Sequence, residues 1–365
     1  MWDRKRQTQI KHAILEDYLW AWIKILGKKR ALLYYIDGFA GPGQYKEKGE
    51  IKPGSPVIAI DTYIDHREKG EQYELRFINV EKKRNSWQEL EESTSKYKHR
   101  VYVKNILGEF LDNIDDILKE IGNDFGFFFI DPFGISGIEF AELERIFKRE
   151  ETEILLNFSY DGLQRCIGQL ENVDHYDEKR RRKAVKTIER VCRMLNADEK
   201  ELRQIITSSG IPKEKEISLL RKYVENLRNY KTFVYPLPIN YPGRKRTFYY
   251  LIFMTQNIIA LKIMKDVMKK AKEMEKVGQL FLPLPDVNVE VLKTKLYERY
   301  KGRVVELNEI YKDWLPKVYS LDGEDYLARD IDRALKLLLG EKDMPVTKIS
   351  GRYFWNPYYK FGKVC

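Results

Sequence analysis

From its start to about residue 160 the chain alternates short apolar runs with amphipathic segments. Residues 4–26 place Ile10, Ile14, Tyr18 and Ile25 at helical spacing, which predicts a helix. Residues 31–37, ALLYYID, are a continuous apolar run that ends in an acid and meets glycines at once. That is the pattern of a buried parallel strand leading into a ligand-binding turn. Runs of the same kind predict strands over 74–81, 100–105, 125–134 (ending in Asp-Pro) and 152–159, with helices over 56–66, 85–98, 110–122 and 140–148. Strand and helix in strict alternation predict an α/β fold, a doubly wound parallel sheet of the Rossmann-like kind with right-handed crossovers. Such sheets bind ligands at the carboxyl ends of their strands. Asp37, Glu81, Asn105, Asp131 and Asn157 all fall at or near those ends and are expected to converge on one rim.

The pattern then changes. Residues 162–230 are charged and helical without strand signals, and read as a helical insertion. Residues 232–255 read as two strands around the turn NYPGRKR. A helix over 257–275 follows, and its Met264 and Met268 sit in an apolar stripe that reads as core packing. The proline-bearing segment 279–288 reads as a linker. Beyond it come helices over 289–300, 307–314 and 323–339 and short strands over 346–349 and 352–356. Three helices and a hairpin in that order predict a winged helix-turn-helix-like module. The expected boundaries are a Rossmann-like domain over 1–276 and the small domain over 285–365.

Composition narrows the class. Apolar residues make up 43% of 365, enough for a sizeable core. No apolar run approaches the roughly 18 residues of a membrane span, and no apolar signal region follows the basic start. The three cysteines, Cys166, Cys192 and Cys365, form no CxxC pair, so a reduced cytoplasmic protein is expected, with no cysteine-built metal site. His12, His66, His99 and His175 show no metal-ligand spacing either. The charge balance is +10, and its excess is local. Residues 176–231 hold sixteen Lys or Arg against nine Asp or Glu. Arg180, Arg181 and Arg182 there, with Arg244, Lys245 and Arg246 in the hairpin turn, are candidate phosphate-backbone contacts. Solvated helix faces explain the same runs equally well. The C-terminal module, with fifteen positive and thirteen negative side chains from residue 277 on, favours neither DNA nor protein as its contact.

The clearest chemical signal is Asp37-Gly38-Phe39-Ala40-Gly41-Pro42-Gly43 after the first strand. Glycines let a backbone turn tightly and approach a ligand. An acid ahead of them would repel a diphosphate but suits a cation carrying an amino group. S-adenosyl-L-methionine has both features. Glu81, ending the second strand, is placed to accept ribose hydroxyls. Asn105 is the favoured adenine contact on the third strand, with Glu109 and Asp112 just beyond it. Asp131-Pro132-Phe133-Gly134 delivers an acid into a proline-fixed turn. Such an Asp accepts from an exocyclic amine and leaves the nitrogen lone pair free to attack a methyl group, a reaction that needs mainly positioning. Phe133 beside it is a stacking candidate, and a structural Asp capping the next helix is the alternative. The glycine spacing is not GxGxxG, which argues against a nicotinamide oxidoreductase.

Together YIDGFAGPG, GSP (54–56), the strand-end Glu81, IDPFG and TQNIIALKIMKDVMKKA resemble the three-Cys-motif partner proteins (TcmP) over most of the chain. This resemblance implies a class I S-adenosylmethionine-dependent methyltransferase fold. More distantly the same motifs are similar to those of adenine-N6 methyltransferases. The resemblance implies cofactor contacts at Lys11, Asp37, Gly38, Phe39, Gly41, Gly43 and Glu81, and a catalytic element at Asp131, Pro132 and Phe133. Gly134 stands where those enzymes end DPPY with an aromatic, which leaves the acceptor amine open. Two functions remain. One is methylation of an amino group on a nucleic-acid base. The other is a non-catalytic, nucleic-acid-binding partner of a three-Cys-motif metalloprotein in DNA repair or modification.

Overall fold

A computed structural model describes residues 4–47, 50–70, 73–171, 177–241, 246–276, 287–349 and 356–362. Its first elements are α1 (Arg4–Leu26), β1 (Leu32–Asp37), β2 (Gln44–Glu47), β3 (Glu50–Pro53), α2 (Ser55–Arg67), β4 (Glu74–Glu81), α3 (Arg84–Ser95), β5 (Val103–Leu107), α4 (Phe110–Ile121), β6 (Phe125–Ile130), α5 (Phe140–Phe147) and β7 (Thr152–Phe158). The insertion is α6 (Tyr160–Glu171), α7 (Glu178–Leu195), α8 (Glu199–Ser208) and α9 (Pro212–Arg228). The hairpin is β8 (Phe233–Asn240) and β9 (Thr247–Thr255), followed by α10 (Ile258–Lys276).

Seven strands form one sheet in the order β5-β4-β1-β6-β7-β9-β8. Five run parallel, and β9 is antiparallel to both its neighbours. Numbered within the sheet, this is 3-2-1-4-5-7-6 with the seventh strand reversed, a Rossmann-like doubly wound order. The topology switches between β1 and β6, so the ligand crevice belongs at their carboxyl ends. The near-continuous apolar runs have the expected cause. Every residue of β7 and β8 is buried, and β6 buries Phe127, Phe128 and Phe129 between helical layers. Tyr18 and Trp22 of α1 pack on Phe127, with ring centroids 5.6 and 5.7 Å away. Helix α2 lies along α1, whereas α5 packs on α4 and α7.

The chain is organised as two compact units, Met1–Gln256 with Lys270–Leu282 and Asn257–Lys269 with Pro283–Cys365, so α10 is shared. The second unit contains α11 (Val289–Tyr300), β10 (Val304–Glu306), α12 (Leu307–Trp314), α13 (Tyr319–Asp322), α14 (Ala328–Leu338), β11 (Val346–Ile349) and β12 (Tyr358–Phe361). Its antiparallel sheet has the order β10-β12-β11. Lys265 of α10 is buried there, 2.6 Å from Asp325 and 2.9 Å from the Leu315 carbonyl.

The structure corrects several sequence readings. The third strand runs 103–107 rather than 100–105, and the fourth stops at Ile130. The helix expected over 323–339 begins only at Ala328, because Asp325, Tyr326 and Leu327, which precede α14, are buried in non-helical backbone, and the short α13 ends before it at Asp322. The last strand is 358–361. Residues 352–355 of the strand expected over 352–356 lie outside the described residues, as do most of the linker, His175 and Cys365. The hairpin β2–β3 and strand β10 carried no signal, being four and three residues long.

A buried acid near the amino end of β7, away from the ligand crevice, sets a pH dependence. Glu153 accepts from the Tyr18 hydroxyl at 2.5 Å and from Thr255 at 3.1 Å. Burial pushes its carboxyl from the ordinary 4.5 up to about 7. Between those values the folded chain keeps a proton that the unfolded chain has released, so stability held at Glu153 is lost as pH rises through about 7. Glu153→Gln should therefore gain stability relative to the parent between pH ~5 and pH ~8. Urea denaturation at the two pH values checks this, and a constant difference refutes it.

Candidate active site

The carboxyl ends of β1, β6 and β7 open into a cleft of about 500 Å³. Its lining includes Lys11 and His12 of α1, the loop from Phe39 to Tyr45, Ser55, Asp131 to Gly134, Asn157, Arg165 and Tyr249. A narrow recess adjoins it, lined by Gly38, Phe39, Val80, Glu81, Lys82, Lys83, Gly108, Glu109, Phe110 and Phe133. Phe39 and Phe133 line both.

The glycine loop is built on Asp37. That carboxylate is wholly buried and does not line the cleft, where a cofactor contact was expected of it; what it touches instead is the loop. It accepts from the Phe39 N–H at 3.1 Å, from the Tyr35 hydroxyl at 3.3 Å and from Ser55, which does line the cleft. Burial pushes it up to about 7, opposed by the Ser55 and Phe39 hydrogen bonds. Backbone bonds carry the loop onward, from Gly38 N–H to the Phe129 carbonyl and from Ala40 N–H to the Val80 carbonyl, each 3.0 Å. Gly41 has φ +60° and faces open space in the cleft. Its N–H donates to Glu81 Oε2 at 3.0 Å, and the Lys83 N–H donates to Oε1 at 2.7 Å. Among the described residues each Glu81 oxygen thus has one donor and one free lone pair, beside the recess.

Asp131 stands one residue beyond β6. Lys11 Nζ lies 2.5 Å from its Oδ2, and Asn157 Nδ2 donates to Oδ1 at 2.6 Å. Lys11 also lies 5.5 Å from the Tyr249 ring centre. Burial, then the Lys11 charge, lowers His12 to about 4, so its ring is neutral at pH 7. Pro132 is buried, while Phe133 is 85% exposed with Lys83 Nζ 5.8 Å from its ring centre. An exposed aromatic between cleft and recess is a platform on which a ligand ring can stack.

Asn105 is placed elsewhere. Because β5 runs to Leu107, Asn105 sits mid-strand, where its amide accepts from Asn79 and donates to Thr94, each at 2.8 Å. It lines neither cavity, and Gly108, Glu109 and Phe110 occupy the strand end instead. Asp112 also lies away from the site, in a surface hollow with Glu139 and Arg193. Arg180, Arg181 and Arg182 are exposed on the first turns of α7 and do not line the cleft. Arg180 lies 3.8 Å from Asp177, and Arg182 pairs with Glu178. Arg246 reaches Asp161 at 2.8 Å and Gln164 at 3.1 Å. Arg244 and Lys245 lie outside the described residues. The role of Asn157 had one signal, its strand-end position. Arg165 had none, since its place depends on how α6 leaves β7. Among the described residues no three His, Cys, Asp or Glu stand together as metal ligands, and no helix is long and apolar enough to cross a membrane.

No protein-family model and no curated protein matches the sequence. Solved structures that are similar to the chain include three at low identity. Protein LPL1258 of Legionella pneumophila, of the DUF519 family, aligns at 11% identity and TM-score 0.46 over 74% of this chain and 94% of its own. An O-methyltransferase from Bacillus cereus, solved with SAH, aligns at 14% and 0.33 over 66% and 80%. A sarcosine dimethylglycine methyltransferase, so named provisionally, from Galdieria sulphuraria aligns at 14% and 0.27 over 66% and 85%.

The loop geometry has a measurable consequence. Gly43 has φ +71°, and a Cβ there would lie 2.3 Å from Ser93 Oγ, which is itself tied to the Pro42 and Leu90 carbonyls. Gly41→Ala meets only the backbone strain and should cost about 1 kcal/mol. Gly43→Ala adds the clash and should cost roughly 2–4 kcal/mol, with Ser93→Ala restoring part of it. Thermal melts of the three variants check this, and equal losses at the two glycines would refute it.

Proposed function

We propose that the chain is an S-adenosylmethionine-dependent methyltransferase acting on an amino group of a nucleic-acid base. The observation that carries this reading is Asp131, held by Lys11 and Asn157 at the end of the fourth strand of the sheet, in one cleft with the glycine loop and beside exposed Phe133. The resemblance to the three-Cys-motif partner proteins supports it. The residues fit the cofactor: Gly41 opens the backbone toward the cleft, and Glu81 keeps a lone pair on each oxygen at the recess for two ribose hydroxyls. Gly38, Phe39 and Gly43 would shape the loop around it. The bound cofactor supplies an electrophilic methyl group on a sulfonium. This chain's part is positioning. Asp131 and the Pro132 carbonyl accept the two N–H bonds of the acceptor amine, and Phe133 stacks on its ring. Neutral His12 adds no charge beside them.

A second reading rests on the same carboxylate. Both Asp131 oxygens already have donors, Lys11 and Asn157, as in a site kept for structure. The chain would then be a nucleic-acid-binding partner of a three-Cys-motif metalloprotein, using Arg180, Arg181, Arg182 and Arg246.

Calorimetric titration with S-adenosylmethionine separates the two. The parent should bind at micromolar affinity, and Glu81→Ala should lose at least tenfold, about 1.4 kcal/mol. Asp131→Ala should still bind but transfer no radiolabelled methyl group to nucleic acid. Methyl transfer by Asp131→Ala removes the catalytic assignment, and a parent that does not bind leaves the partner reading in front.

A further inference from the structure

Among the described residues lining the cleft, the ionised side chains are Lys11, Asp131 and Arg165, since burial keeps His12 neutral. Lys11 and Asp131 compensate each other at 2.5 Å. Arg165 is different. It shares its counter-ion with a second guanidinium: Arg165 lies 3.3 Å from Asp161 Oδ2, and Arg246 lies 2.8 Å from Asp161 Oδ1. Two cations therefore stand on one carboxylate, an excess of +1 among these three residues, of which Arg165 lines the cleft. The node is built rather than loose. The Asp161 side chain is only 13% exposed, while those of Arg165 and Arg246 are 73% and 51% exposed. Asp161 also accepts from Tyr241, and Arg246 lies 5.4 Å from the Tyr241 ring centre and reaches Gln164 at 3.1 Å. The Arg165 Nε donates to the Asp161 carbonyl at 3.3 Å, which fixes the stem of the side chain. A buried acid holding two exposed guanidiniums in fixed orientation is the arrangement that presents planar donor forks to an oxyanion.

We propose that Arg165 and Arg246, oriented by Asp161, form a phosphate clamp at the mouth of the cleft that takes a phosphate of the nucleotide whose base enters beside Phe133. The placing of the base rests on the methyltransferase reading, whereas the phosphate contact stands on the two guanidiniums. A wall with this excess charge disfavours a cationic acceptor such as a lysine side chain and favours an anionic one. Because Asp131 and the buried Asn157 line a concave cleft, a base must leave any stack to reach them, so the substrate strand would be unpaired at the target. In the sequence Arg246 was already a candidate phosphate contact, but its meeting with the α6 pair Asp161 and Arg165, 85 residues before it at Asp161, carried no signal.

The test uses the full chain and a dye-labelled single-stranded oligonucleotide of about ten residues, read by fluorescence anisotropy between about 50 and 200 mM salt. Arg165→Gln and Arg246→Gln together should weaken binding at least tenfold at low salt. The slope of log affinity against log salt should become shallower by roughly 0.7 to 1.4, one to two single-strand phosphate contacts. Asp161→Asn keeps both cations and removes the shared anion, so it should tighten binding. It also covers the case in which the double variant fails to fold. A nucleoside 5′-monophosphate, titrated in competition, separates the sources of the phosphate. Competition lost in the double variant assigns the clamp to the target nucleotide's own phosphate, whereas no competition assigns it to the chain phosphodiester. Unchanged affinity and slope in the double variant, or weaker binding by Asp161→Asn, overturns the clamp. S-adenosylmethionine calorimetry on the same proteins keeps the two readings apart. Cofactor binding without oligonucleotide binding sinks the clamp alone, and clamp-dependent oligonucleotide binding without cofactor binding sinks the methyltransferase reading alone.

Discussion

The architecture of the site depends on one carboxylate that is shielded from solvent on every side. Asp37 ends the first strand of the sheet, wholly buried, and an unpaired charge there would be prohibitive. Its donors come from three places: Tyr35 on its own strand, the Phe39 N–H in the loop, and Ser55 at the start of α2. Satisfying that one group therefore fixes the glycine loop against the strand and the helix together. The loop then presents Gly41 to Glu81, joining the first strand end to the second. Remove the buried acid and the loop loses its reason to turn there.

The second organising contact is the Lys11–Asp131–Asn157 group. It ties α1 to the strand ends of β6 and β7, elements separated by 120 residues between Lys11 and Asp131. It also neutralises the centre of the cleft, so the charge that a ligand meets comes from the wall, at Arg165. On the proposed function, the interior would hold an acceptor group in place and the rim would select the sign of what enters. Phe133 stands between the cleft and the recess, which gives a ring a surface at the junction of two candidate subsites.

Much of this was legible along the chain. Apolar runs marked all five parallel strands, because strands covered on both faces carry few polar residues. Acids that ended such runs, Asp37, Glu81 and Asp131, mark the carboxyl ends of the strands, where backbone N–H groups of the following loops or neighbouring side chains can satisfy them. The reading failed where length was the issue. Asn105 looked like a strand end and lies mid-strand, because β5 continues to Leu107 through residues of mixed polarity. Asp37 read as a ligand contact and lies buried under the loop, because sequence order does not show that Ser55 hydrogen-bonds it. The short hairpin β2–β3 had too few residues to show a period.

What the sequence determined by itself was the fold class and the places where polar groups interrupt buried runs, since burial and periodicity act on neighbours in the chain. What only the tertiary structure decided was who partners whom. Lys11 with Asp131, Asn157 with the other oxygen, and Arg165 and Arg246 on Asp161 are pairings that converge on one edge of the sheet, most of them between distant segments. Such pairs form because folding brings their elements together there, and a charge chooses its partner by distance in space, which a linear order does not contain.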